Sequence, residues 1–318
     1  MIHSVDHPAP PAVDASGWTV PGEHAPVDLE GLAHRASRPD HHPPGRVMGA
    51  LAQFRLDAGP PGALLLHDVP TGAVPATPPH PTAPTVKDRT SELVMLTVAA
   101  LLGHAVGYRP EHGGEIVQNI VPTRQGASAQ ISTSSRVDLL LHTETAFHPH
   151  RPRHLLLLCL RGDPAAGTTL ASVAALLDHL DPETIDILSA PRFRTAVDAS
   201  FLAGRPSPIG PLLPVLRGRG DEAALVYDAD LTTGEDAAAR RALDALAAVI
   251  EEHHRTVVLD TGDLLVIDNH RAVHGRSAFT PRFDGTDRWL QRSFVVDDLD
   301  PSTDDRDGLV ITTEFALA

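Results

Sequence analysis

Two side chains able to hold a metal stand two residues apart in Leu139-Leu140-Leu141-His142-Thr143-Glu144-Thr145-Ala146-Phe147. An apolar run leads into them. If it is a strand, alternate side chains share a face, so His142 and Glu144 project to the same side. One imidazole and one carboxylate are two of the three groups of a facial iron site. Taken alone, the pair is better explained as the polar face of a half-exposed strand. A third candidate ligand is His274, in a segment where a strand ends in Asp268-Asn269 and a tight turn leads on to the histidine. It follows His142 by 132 residues (274 − 142), a separation that a jelly roll closes because its distant strands pair side by side. Arg288 and Arg292 flank Trp289-Leu290-Gln291, and on a strand their even spacing turns both to one face. Asp228 and Asp230 would also share a face if that segment is extended. A solvated turn competes with that reading, as a surface ion pair with Asp284 or Asp287 does for Arg288.

The elements that must carry these residues are short and dense. Residues 62–67, 154–160 and 263–268 are compact apolar runs suited to a sheet, and 115–122, 256–259 and 289–297 also read as strands. Asp88-Arg89-Thr90-Ser91-Glu92 starts a helix whose Leu93, Leu96, Ala100 and His104 continue at helical spacing, with Gly103 and Gly107 to stop it. Residues 28–35, 170–180 and 234–254 are further helix candidates, and Asp181-Pro182 opens another. The spacing predicts loops at 70–84 and 163–169 and a hairpin or flap at 201–220. Together they predict a mainly β fold with helical insertions (α+β): a double-stranded β-helix, or jelly-roll, core with flanking scaffold helices. Residues 1–26, rich in proline, read as an extended arm rather than a folded element, leaving 27–318 as one domain.

Composition narrows the classes. The chain of 318 residues is 42% hydrophobic and 21% charged, which suits a globular protein with a substantial core. Its formal charge of −15 argues against nucleic acid, which needs a basic footprint. No apolar run approaches the ~20 residues that span a bilayer. The first residues lack a basic region followed by an apolar core, and the single cysteine, Cys159, permits no internal disulfide, so a cytoplasmic location is expected. Oligomeric state leaves no signature.

The combined pattern of HxE at 142–144, His274 in GDLLVIDNHRAVHGR, and an arginine 14 residues on (288 − 274) resembles the iron(II)/2-oxoglutarate-dependent oxygenases. More narrowly it is similar to the clavaminate synthase-like branch, which includes hydroxylases of free arginine and asparagine. The resemblance runs from Leu93 to Val296, through GYRPEHGGEIVQNIVP, LLLHTETAFHPHRP and FTPRFDGTDRWLQRSFV. It implies that His142, Glu144 and His274 hold Fe(II), and that 2-oxoglutarate and O2 are co-substrates. It implies that Arg288 binds the far carboxylate of 2-oxoglutarate, with help from the hydroxyl of Thr169 or its neighbour Thr168. It implies that Arg292 takes the substrate's carboxylate, with the α-amine near Glu144, Gln118 and the Ser132–Ser135 hydroxyls, Ser132 foremost. Asp228 and Asp230 would then receive a basic side chain. The implied activity is hydroxylation of a free, basic amino acid, at Cβ, in antibiotic biosynthesis or related metabolism. An oxidative cyclase or desaturase shares the same site, and a non-catalytic metal-binding sensor is the reading from another class. Glu144 occupies the position that a halogenase leaves open for chloride.

Overall fold

The computed structural model describes residues 8–20, 28–202 and 206–315. Its organising element is a nine-stranded sheet. Ala12–Asp14, Ala63–His67, Leu264–Asp268, His154–Arg161, Trp289–Val296 and His104–Tyr108 lie side by side in that order. Val310–Ile311 and Arg306–Asp307 follow at the far edge, and Gln118–Ile120 also pairs with Trp289–Val296. A second, four-stranded sheet runs Arg255–Val257, Thr168–Ser172, Ala272–Arg276, Leu139–His142, antiparallel throughout.

The two sheets pack face to face, as the jelly-roll expectation requires. Leu155, Leu157, Leu265, Ile267, Leu290 and Phe294 of the large sheet meet Leu170 and Ala272 of the small one in a single buried cluster. The alternate residues of the same strands, Leu156, Leu158, Leu264, Val266, Trp289 and Val295, face outward and are buried beneath helices. Both faces of the central strands are therefore covered, which is why His154–Arg161 reads as an unbroken apolar run rather than an alternating one. The covering helices are Leu29–Ala36, Gly45–Leu56 and Thr90–Leu102. On the other side, Ala237–His253 lays Leu246 and Ile250 against Ala171 and Val273 of the small sheet.

Several elements differ from the sequence reading. Residues 168–172, expected as the end of a loop and the start of a helix, form a strand held on both sides, and the helix is only Val173–Leu177, capped by Ser172. The ladder decides against the helical spacing, and Thr168 and Thr169 are β-branched and suited to it. The Gly45–Leu56 helix was not anticipated, although Val47, Leu51 and Phe54, its buried residues, carry the spacing of one helical face. The proline-rich arm needs correction over residues 12–14, which pair in parallel with Ala63–His67, and over Trp18, which is buried with its indole N–H donating to His41 O at 3.0 Å. Residues 1–7 and 21–26 of that arm, and 203–205 of the expected flap, lie outside the described residues. The 70–84 loop has no regular structure; Thr77 Oγ1 ties it to the turn before Trp289 by donating to Asp287 O at 2.6 Å, and Arg161, at the end of its strand, donates to Pro75 O at 2.9 Å.

Candidate active site

Strand pairing brings the distant histidines together. His142, last residue of Leu139–His142, sits opposite His274 in the neighbouring strand, with ring centroids 4.4 Å apart. Its Nδ1 lies 2.8 Å from Leu140 O, so the proton belongs on Nδ1 and Nε2 presents its lone pair. Glu144 lies just past the strand, and its backbone is clamped from both sides by Asn269. The Glu144 N–H donates to Asn269 Oδ1 at 2.7 Å, and Asn269 Nδ2 donates back to Glu144 O at 3.1 Å. Asn269 is fully buried, and Thr145 next to Glu144 takes a φ of 49°, a left-handed conformation that costs a β-branched residue energy. Glu144 Oε2 then lies 3.3 Å from His274 Nε2 and 3.9 Å from His142 Nε2.

One ligand atom from each of the three falls within 4.8 Å of the other two. Glu144 Oε2 is buried with no hydrogen-bond partner, an orphaned oxygen of the kind a cation satisfies. Burial pushes the Glu144 carboxyl up, but Arg292 and the two histidines more than reverse this and hold it down at about 2. Burial, with His142 adjacent, pushes His274 down to about 4, so the imidazole is neutral near pH 7. Two imidazoles and one carboxylate on one side of a cavity fit a divalent iron with positions left open.

The cavity, about 550 Å³, runs between the sheets. At one end Arg288, buried, donates through Nη2 to Thr168 Oγ1 at 3.3 Å, and burial lowers the guanidinium to about 10. The expected partner Thr169 is corrected: Thr168 lines the cavity, whereas Thr169 points to the opposite face with its hydroxyl buried and without a partner. Side-chain alternation makes the two mutually exclusive, and a segment read as a loop offered no alternation to phase.

Arg292 also lines the cavity, and it is crowded by acids. Nη1 donates to Glu144 Oε1 at 3.3 Å, Nη2 donates to Glu111, and Gln118 Oε1 accepts from Nη2 at 2.7 Å and from Nε at 3.2 Å. Burial disfavours the Arg292 charge, but Glu111 and Glu144 outweigh it and raise its pKa above the usual value. Gln118 does not line the cavity; it stands behind Arg292 and donates to Glu115 O at 3.2 Å. Glu111 was missed in the sequence, since nothing in Pro110-Glu111-His112 marks a buried acid. Ser132 lines the cavity, whereas Ser134 Oγ accepts from Arg276 at 2.8 Å.

Asp228 and Asp230 both line the cavity, but not on an extended strand. Asp228 Oδ1 accepts from the Asp230 and Leu231 N–H groups at 2.8 and 2.9 Å, closing a turn. Asp228 is half-buried, and burial raises its carboxyl pKa; Asp230 is exposed. A short turn, Ala199–Phe201, lies over the same cavity with Phe201 seated on Phe147 and Tyr108 at ring distances of 5.0 and 5.7 Å.

Residues 83–294 match the family described as taurine catabolism dioxygenase TauD, TfdA family. The chain is similar to an L-lysine 3-hydroxylase of Catenulispora acidiphila, 39% identical over 283 residues, covering 86% of this chain and 78% of that relative. It is 33% identical to clavaminate synthase 2 of Streptomyces clavuligerus, over 86% of this chain and 85% of that one. Among solved structures, asparagine oxygenase in complex with Fe(II), 2S,3S-3-hydroxyasparagine and succinate superposes with a TM-score of 0.83 at 35% identity, over 94% of this chain and 98% of that chain.

Proposed function

The chain belongs to the TauD, TfdA family of dioxygenases, and from that premise we propose that it hydroxylates the Cβ of a free amino acid with a basic side chain. His142, Glu144 and His274 would hold the iron, and Arg288 with Thr168 the distal carboxylate of 2-oxoglutarate. When bound, iron, 2-oxoglutarate and O2 supply the oxidation: one oxygen atom enters the substrate's C–H bond, the other enters succinate, and CO2 leaves. The protein's own residues bind and orient the reactants.

The observation that carries the reading is the charge layout of one cavity. Arg292, between Glu111 and Glu144, suits a zwitterion: the guanidinium takes the α-carboxylate, and the acid beside it meets the α-ammonium. The opposite wall carries Asp228 and Asp230, acids without an ion-pair partner among the described residues, which suits a cationic end group. Anchoring at both ends presents Cβ, the carbon next to the anchored α-carbon, to the triad. A free amino acid fits better than a carrier-bound one, because Arg292 is buried and needs an unesterified carboxylate. A cytoplasmic setting belongs to this reading, supported by the buried free thiol of Cys159. Among the described residues, no helix is long and apolar enough to cross a membrane.

The test is turnover of the iron-loaded protein with 2-oxoglutarate and a panel of free amino acids, reading succinate and product mass. Lysine, ornithine or arginine should give succinate and a product heavier by one oxygen, and His142→Ala should abolish both. No succinate above background with any amino acid overturns the reading. A product lighter by two hydrogens would instead assign the desaturation or ring closure suggested by the similarity to clavaminate synthase 2.

A further inference from the structure

The Arg288 end of the cavity carries a second buried guanidinium. Arg276 sits two residues beyond His274 on the same face of its strand, and it lies opposite Thr168 in the neighbouring strand. Thr168 is the residue whose hydroxyl accepts from Arg288. Arg276 is only 4% exposed and lines the same cavity as Arg288.

Its partners are all neutral. Nη2 donates to Ser134 Oγ at 2.8 Å and Val137 O at 3.3 Å, Nη1 donates to Ser277 O at 2.7 Å, and the guanidinium carbon lies 5.1 Å from the Phe279 ring centroid. A guanidinium has five N–H donors, so three are used and two remain. One of these, Nε, is buried with no partner. The carboxylate of Asp138 nearby is exposed and accepts instead from the Ala278 N–H at 2.6 Å. Two buried cations at one end of the cavity, Arg276 from the small sheet and Arg288 from the large one, with no carboxylate bonded to either among the described residues, are costly unless an anion joins them.

We propose that Arg276 is a second specificity-determining residue for the co-substrate: with Arg288 and Thr168 it recognises the distal carboxylate, so that the site selects a dicarboxylic 2-oxo acid. This rests on the oxygenase reading above. A rigid fork already braced by three bonds is a preorganised donor for a carboxylate. The loss of one charge-assisted contact weakens binding by about 10- to 30-fold.

Anaerobic calorimetric titration of the iron-loaded protein with 2-oxoglutarate, and separately with 2-oxobutyrate, tests this. The second ligand keeps the chelating end and lacks the far carboxylate. Arg276→Gln should raise the Kd for 2-oxoglutarate about 10- to 30-fold and leave that for 2-oxobutyrate within twofold. Arg276→Lys, which keeps the charge but loses most of the bracing of residues 134–137, should stay closer to the parent protein than Arg276→Gln. Equal weakening of both ligands, in either variant, would make Arg276 a brace alone and overturn the inference, as would no change with either. If the unaltered protein binds neither 2-oxo acid, the oxygenase reading itself falls, an outcome distinct from these.

Discussion

Arg288 and Arg292 stand four positions apart, yet the one partner of Arg288 is neutral and the partners of Arg292 include two acids. Because Arg288 has only the Thr168 hydroxyl, its charge is available to an incoming anion, whereas Arg292 is already embedded with Glu111 and Glu144. Arg288→Ala should therefore raise the KM for 2-oxoglutarate by roughly 100-fold, with Thr168→Val having a smaller effect in the same direction. Arg292→Ala should act on the KM of the amino acid instead. Steady-state kinetics with each substrate varied in turn separates the two, and a crossed result would reverse their roles. That the triad and both arginines face one cavity was anticipated in the sequence, even spacing supplying the shared faces and the family resemblance supplying the roles. Thr168 and Glu111 were not. The choice between Thr168 and Thr169 depends on which face of an unrecognised strand points inward, and burying Glu111 depends on an arginine 181 residues away.

At the scale of elements, the site is a matter of how strands end. Leu139–His142 stops at His142, and Glu144 reaches the triad from a bent segment that Asn269 clamps through two hydrogen bonds. Asn269 touches no candidate metal atom, so its contribution is to aim Glu144. Supporting groups of this kind are worth about 10- to 100-fold in metal affinity. Asn269→Ala is expected to lower iron affinity within that range while leaving the far-ultraviolet circular dichroism unchanged, and an unaltered affinity would remove the clamp from the account. The sequence displayed Asp268-Asn269 plainly, but only as a turn. The central strands were legible because burial on both faces makes them continuously apolar. The 168–172 strand was obscured because its residues run without a break into a helix. The Asp228–Asp230 segment left a strand and a turn open, and the side chain of Asp228 itself folds the chain into the turn.

Across the whole molecule, histidine burial sets a pH limit. Burial is the largest cause in each of three cases, pushing His148 and His154 down to about 3 and His270 to about 4. Neither ring nitrogen of His154 has a hydrogen-bond partner. A histidine of depressed folded pKa binds its proton only on unfolding, so its cost is absent above the unfolded pKa of about 6.5 and grows as pH falls toward the folded value. For a fully buried group the slope is roughly 1.4 kcal/mol per pH unit. Urea midpoints of the iron-free protein should drop steeply between pH 6.5 and 4, and His154→Leu should flatten that slope. A variant with the parent's slope would assign the acid sensitivity elsewhere. The same whole-molecule view separates two kinds of inheritance. The triad rises from the small sheet and its edge, and Arg288 and Arg292 from the start and middle of a strand in the large one, so neither set can drift without disturbing a ladder. Asp228 and Asp230 instead belong to a turn that one antiparallel bridge, Asp228 to His142, ties to the edge of the small sheet, and the Ala199–Phe201 segment is part of neither sheet. The oxidative centre therefore stands on strand ladders, whereas the proposed recognition of the side chain stands on a turn and a short segment beside them. Replacing residues of that turn should accordingly change which amino acid is accepted and leave the iron affinity of the triad within about twofold, as metal titration would show.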